Sequence, residues 1–309
     1  MAATAARNAK SAEYIKEGDK YVAEARKAEA TGIFKRKPDW ETATNAWRNA
    51  VKQYQLAGDN AKFKFLDTLK YCAKAHENMG DGYHTAAQNW EKAGQLFSEM
   101  KENGEAADCY KKASMDYKLN NNPDTAAKML IKSAQAIGES DKDAAVQALG
   151  DACSIFEEED RAKLSDETFK KAIGLCLKIN RYPDAIDFLK RQNKIYLELA
   201  GGTFDRDLYK NLLTIVVVLF SIDKYSQAEE EFKTWDGMST WTRSDEYEAA
   251  DALIQAWRAG SVEEFAAAKK RNCFNYLDNE VTRMARKMEL DVDTKPFSSN
   301  DDDSKLDLS

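Results

Sequence analysis

Residues 83–138 read YHTAAQNWEKAGQLFSEM, KENGEAADCYKKASMDYKLN and NNPDTAAKMLIKSAQAIG when broken after positions 100 and 120. In the first segment Ala87, Trp90, Ala93 and Phe97 are spaced by three, three and four residues. Twenty residues on stand Ala107, Tyr110, Ala113 and Tyr117, and twenty further Ala127, Leu130, Ser133 and Ile137. A step of 19 then reaches Val146, Leu149, Ala152 and Phe156. Such spacings place four residues on one face of an α-helix. Small residues alternate with large ones, so neighbouring helices approach closely at the small positions and are filled at the large ones. A 20-residue unit is one helix of about four turns and a short turn. Two units make a 40-residue hairpin, longer than the roughly 34 of a tetratricopeptide repeat and close to the HEAT and armadillo range.

Working outward, Trp47, Ala50 and Tyr54 match the last three positions of the pattern. Ala172 to Leu177, Ala185 to Leu189 and Ala228 to Phe232 continue it less regularly. Asn122 before Pro123 reads as an N-cap and first helical residue, and Pro183 lies just inside another start. Ser165 and Asp39 are further cap candidates, and Gly58, Gly80 and Gly138 mark helix ends. The spacing predicts helices over 5–29, 40–57, 60–79, 83–100, 104–118, 123–138, 142–159, 165–179, 183–200, 204–221, 225–235, 244–258, 261–270 and 276–288. No segment alternates as a strand would. The repeat fades near 235. The expected organisation is a helical-hairpin solenoid over 1–235, a helical bundle over 236–289 that caps it, and a flexible acidic tail over 290–309.

The 309 residues carry 46 Lys and Arg against 53 Asp and Glu, a formal charge of −7. Residues 289–309 hold seven acids and two lysines, so −5 of that total sits at the end and −2 in the rest. An acidic balance disfavours long-range attraction to nucleic acid, and no such partner is expected. The longest apolar run, Leu212 to Phe220, is too short to span a bilayer, which takes about 20 residues, and reads as a buried core helix. No secretory signal is visible at the start. The five cysteines are dispersed, with no CxxC pair, which fits a reducing cytosol.

No catalytic motif emerges. There is no GxGxxG and no GxxxxGK[ST]. The two histidines, His76 and His84, do not form HExxH, and neither a metal nor a cofactor is expected. The acid run Glu157 to Asp160 reads as a solvated helix end. The chain is read as a non-enzyme.

Three surface features go beyond a generic scaffold. Ile33 and Phe34 sit in a loop beside Lys35, Arg36 and Lys37, between the helix that Gly32 ends and the one Asp39 starts. Apolar residues backed by cations suit an anionic membrane surface. The same pair folding back as a hydrophobic staple is the competing reading. Lysines dot the repeat at 92, 111, 112, 128, 132, 170, 171 and 178. A subset on one edge suits an acidic helical bundle, while a solvated face with i,i+4 pairs accounts for most of them. At the end, Asp301, Asp302 and Asp303 precede Leu306, Asp307 and Leu308. Acids interleaved with leucine suit a basic grooved partner, and a merely solubilising tail is the alternative.

The chain resembles the soluble NSF-attachment proteins, the adaptors of N-ethylmaleimide-sensitive factor, and among them the gamma type. The stretch Thr31 to Trp40, the block Tyr83-His84-Thr85-Ala86-Ala87 running to Gly94, Pro123-Asp124-Thr125-Ala126-Ala127, and Tyr276-Leu277-Asp278-Asn279-Glu280 carry the resemblance, which runs from about residue 5 to 290.

The resemblance implies an all-α fold, a tetratricopeptide-like right-handed helical-hairpin solenoid or twisted sheet of helices, followed by a helical bundle. It implies a cytoplasmic adaptor, peripheral to membranes. Such an adaptor binds SNARE four-helix complexes of the syntaxin type and recruits and stimulates the hexameric NSF ATPase, which disassembles them in vesicle trafficking. Ile33 and Phe34 would be the membrane-contact pair, with Lys35, Arg36 and Lys37 behind them. Lys128 resembles a lysine of the SNARE-binding face. A second such lysine falls on Glu167, with Lys171 one turn later, and Asn122 stands where the alpha type has arginine. The first loop is shorter and more basic than that of the alpha type. Leu308 matches a penultimate leucine that supports ATPase stimulation, and Asp301, Asp302, Asp303 and Asp307 supply the acids around it. A generic scaffold for another helical or acidic partner is the alternative.

Overall fold

A computed structural model describes residues 2–32, 35–158, 165–199 and 204–290. Among the described residues there are fourteen α-helices, short 3₁₀ turns and no strand. They are α1 (Ala2–Glu29), α2 (Trp40–Ala57), α3 (Lys62–Met79), α4 (Tyr83–Glu99), α5 (Asn103–Leu119), α6 (Pro123–Ile137) and α7 (Lys142–Glu158). Then follow α8 (Asp166–Lys178), α9 (Tyr182–Glu198), α10 (Asp205–Phe220), α11 (Tyr225–Lys233), α12 (Asp245–Ala259), α13 (Val262–Ala268) and α14 (Asn279–Lys287). The expected helices are all present. Two helical turns were unforeseen among the described residues, a 3₁₀ turn at Trp241–Arg243 and another at Asn272–Tyr276 that delays α14 to Asn279.

The chain divides into two compact units, residues 1–168 and 169–309. In the first, α1 to α7 pack each against its neighbours in sequence, as a row of hairpins does. Fifteen of the sixteen repeat positions are buried. The exception is Val146, half-buried, because α7 presents Ala145 instead. Ala145 completes a ladder with Ala86, Ala106 and Ala126, every one fully buried. A second ladder lies seven residues on, at Ala93, Ala113, Ser133 and Ala152. Two such turns of small residues form the seam along which helices meet, and Ser133 Oγ bridges it by donating to the Ala107 carbonyl at 3.0 Å.

Glycine carries the closest approaches. A methyl group at Gly94 would lie 2.9 Å from the Tyr110 ring, and one at Gly18 would lie 2.6 Å from the Tyr54 ring. Two buried tryptophans of the first unit are tied to the preceding helix: Trp47 Nε1 donates to Glu29 at 2.6 Å, and Trp90 Nε1 donates to Glu77.

The turns close in a repeated way. Lys101, Asn121, Asn180 and Asp223 all adopt positive φ, between 55° and 63°, each just after a helix. The following N–H reaches back to a carbonyl five residues earlier, as Asn122 to Tyr117 at 2.8 Å and Arg181 to Cys176 at 2.8 Å. This is the Schellman closure, and among the described residues glycine fills it after α12, at Gly260. Asn122 then caps α6 by accepting from Thr125 N–H.

In the second unit α10 is central, packed by α9, α11, α12 and α14. Its run Leu212 to Phe220 is wholly buried, so an apolar run reads here as a core helix. Rings fill the space around it: Phe220 stacks on Phe265 at 5.8 Å, and Tyr225 on Trp257 at 5.7 Å. Position 235 lies between α11 and α12, both of which pack on α10.

Candidate partner-binding surface

The loop between α1 and α2 is pinned at its base. Asp39 N–H donates to the Ala28 carbonyl at 3.0 Å, and Gly32 and Lys35 exchange both backbone hydrogen bonds, at 2.8 and 3.2 Å. The Lys35 ammonium donates to the Ala28 carbonyl, with Lys27 O at 3.5 Å. A cation over the last carbonyls of a helix is favourably placed against the helix dipole. Lys35 therefore closes α1, which leaves Arg36 and Lys37 exposed as the outward cations of the loop. Asp39 caps α2, accepting from Thr42 N–H at 3.0 Å and Thr42 Oγ1 at 2.7 Å. These bonds, the backbone one first, hold its carboxyl below the usual range. Ile33 and Phe34 lie outside the described residues.

The lysines of the repeat fall into two sets. Lys92, Lys112 and Lys132, twenty residues apart, each stand over an aromatic ring of the preceding helix. The rings are those of Phe65 at 5.1 Å, Trp90 at 4.6 Å and Tyr110 at 5.7 Å. Lys132 also pairs with Glu91 at 2.7 Å, and Lys92 donates to Gln55 Oε1 at 3.0 Å. These cations belong to the packing between helices. Lys128 is different. It follows the fully buried Ala126 and Ala127 of α6, points outward, and has no ion-pair partner among the described residues. Lys171 is exposed on α8, one turn after the exposed Glu167. Lys128 lies in the first unit and Lys171 in the second.

The tail residues Asp301, Asp302, Asp303, Asp307 and Leu308 lie outside the described residues. The motif Tyr276 to Glu280 has a structural account: Leu277 is buried, and Asp278 caps α14 by accepting from Glu280 N–H at 2.8 Å. His76 is buried with neither ring nitrogen bonded, and burial lowers its pKa. His84 is exposed, 3.0 Å from Gln88 Nε2. Among the described residues no three His, Cys, Asp or Glu side chains converge as a metal site needs. All five thiols are buried, and burial pushes Cys72 and Cys176 up to about 12, far from reactive thiolates. No helix among the described residues is long and apolar enough to cross a membrane. What sequence periodicity missed is Met115. It stands exposed on α5, on the face away from the buried Ala113. A large apolar residue off the buried stripe was the available signal.

A family model described as soluble NSF attachment protein, SNAP, matches residues 9–289, which include most of both compact units. The gamma-soluble NSF attachment protein of Dictyostelium discoideum is 29% identical over 280 residues, 90% of this chain and 84% of its own length. The gamma-soluble NSF attachment protein of Arabidopsis thaliana is 26% identical over 293 residues, 94% of this chain and 98% of its own. The resemblance to the gamma type is thus shared with both relatives. Repeated helical hairpins and a match through nearly the whole chain agree: the chain belongs to the soluble NSF attachment protein family.

Proposed function

We propose that this chain is an adaptor that binds SNARE four-helix complexes, recruits NSF and stimulates it to take those complexes apart. The observation that carries the reading is the family match over residues 9–289, which span nearly all of the described residues. The attachment role itself, in vesicle transport and membrane fusion, follows from membership. The finer assignments are ours. Lys128, an outward cation with no ion-pair partner among the described residues, and Lys171 meet the acidic surface of the SNARE bundle. Asp301, Asp302, Asp303 and Asp307 steer the tail to NSF, and Leu308 anchors it. Ile33 and Phe34 touch the membrane with Arg36 and Lys37 against the headgroups, and Lys35 holds the loop closed behind them. The protein then works at the cytoplasmic face of membranes, attached peripherally.

The test is Lys128→Glu in a binding assay with a purified SNARE complex. Affinity should fall about three- to tenfold, the scale of a charge at an interface rim, with a shallower salt dependence. Unchanged binding would remove Lys128 from the contact surface.

A further inference from the structure

Helices α5, α6 and α7 enclose a surface groove of about 280 Å³. One wall is a stripe of α5 formed by Lys111, Met115 and Lys118. The facing wall is Asp151, Ser154 and Ile155 of α7, with Leu130 of α6 beneath them. Leu130 and Ile155 are buried, whereas Met115 is 66% exposed over the groove. Lys111 and Lys118 are seven residues apart, two helical turns or about 10.5 Å. The α5 wall therefore presents cation, apolar group and cation in one line.

We propose that this groove receives an acidic amphipathic helix of a partner protein. Two acids seven residues apart on that helix meet Lys111 and Lys118. The apolar residues between them lie on Met115 and reach Leu130 and Ile155. Helix-in-groove docking uses such a ridge of apolar anchors, and an unbranched methionine adapts to them. The α7 wall fixes the orientation. Asp151, held by Gln147 Nε2 at 2.8 Å, repels an acid there, so the partner's acidic flank is confined to the α5 side.

The groove is separate from the surface assigned to SNARE binding. Lys128 and Leu130 are about 200° apart around α6. Leu130 is buried beneath the groove and Lys128 is exposed. The proposal does not depend on the SNARE reading.

The probe is a labelled synthetic helical peptide of about 18 residues. It carries two glutamates seven residues apart with leucines at the third and fourth positions between them. Binding to the full-length protein is followed by fluorescence anisotropy. Saturable binding is expected, weakened by salt and about tenfold weaker for Lys111→Glu with Lys118→Glu together. Met115→Glu should lose it and Met115→Leu keep it, with circular dichroism showing that each variant stays helical. Lys128→Glu should leave peptide binding unchanged, and the double variant should leave SNARE-complex binding unchanged. A peptide with lysines in place of the glutamates should not bind. No binding of the glutamate peptide, equal binding by the double variant, or loss with Lys128→Glu would overturn the proposal. So would a concentration-dependent dimer in sedimentation that the double variant abolishes, since the occupant would then be a second copy.

Discussion

Asp116 lies on the buried face of α5, 4% exposed, with Oδ2 unbonded. Burial, and then the neighbouring Glu77 on α3, pushes its carboxyl up to about 7. In an unfolded chain the same group titrates near 3.9. The folded state therefore holds the proton more tightly, and its advantage is complete below about pH 4 and is lost as the pH rises through about 7. Asp116→Asn should raise the melting temperature at about pH 7.5 and give a much smaller gain at about pH 4.5. An equal gain at both pH values would mean that ionisation is not the cause. At this scale the sequence was partly legible. That Lys128 faces outward follows from the helical period, because Ala126 and Ala127 occupy the seam. That Lys112 covers Trp90 does not follow, because it depends on how two helices lean together. Lys35 was read as a membrane cation, and its bond to the Ala28 carbonyl arises from loop closure that no local pattern encodes.

Between helices the informative groups are the turns. Sequence reading looked for glycine at helix ends, and Gly80 fits, with φ of 85° at the end of α3. The repeat's own turns instead place Lys101, Asn121, Asn180 and Asp223 at positive φ. Asparagine and aspartate tolerate that region, but a lysine there is strained. The backbone bonds that close each turn compensate. Lys101→Gly should stabilise the fold by roughly 0.5 kcal/mol once the freer unfolded chain is counted, and Gly80→Ala should destabilise it by about 1 kcal/mol. Urea unfolding measures both. Shifts of the same sign would contradict the closure described. Helix boundaries were legible to within a few residues because caps and the 3.6 period are local. The offset at Val146 was not, since the repeat permits Ala145 or Val146 to face inward and only packing decides. The 3₁₀ turn before α14 likewise has no periodic signal.

The loop that carries Ile33 and Phe34 belongs to the scale of the whole molecule, since we propose that it brings the adaptor to a bilayer. At an anionic bilayer the exposed Arg36 and Lys37 would supply headgroup attraction of about 1 kcal/mol each, which is weak and reversible without an apolar contribution. Ile33→Ser with Phe34→Ser should slow disassembly of SNARE complexes on liposomes several-fold and leave soluble complexes unaffected. Loss on both would place the pair in the fold instead. Family and architecture were legible at this scale because the 20-residue repeat and four separate motifs point the same way. Partner contacts were legible only as residue types, since a surface lysine becomes a site through what it meets.

Above all, we propose that this chain couples NSF to SNARE complexes. The most direct measurement is ATP-dependent disassembly of a purified SNARE complex by NSF, with the protein, without it, and with Leu308→Ala. Disassembly should require the protein, and Leu308→Ala should lower the rate several-fold while SNARE binding stays intact. Disassembly at the same rate without the protein, or none with a folded protein bound to the complex, would contradict the account.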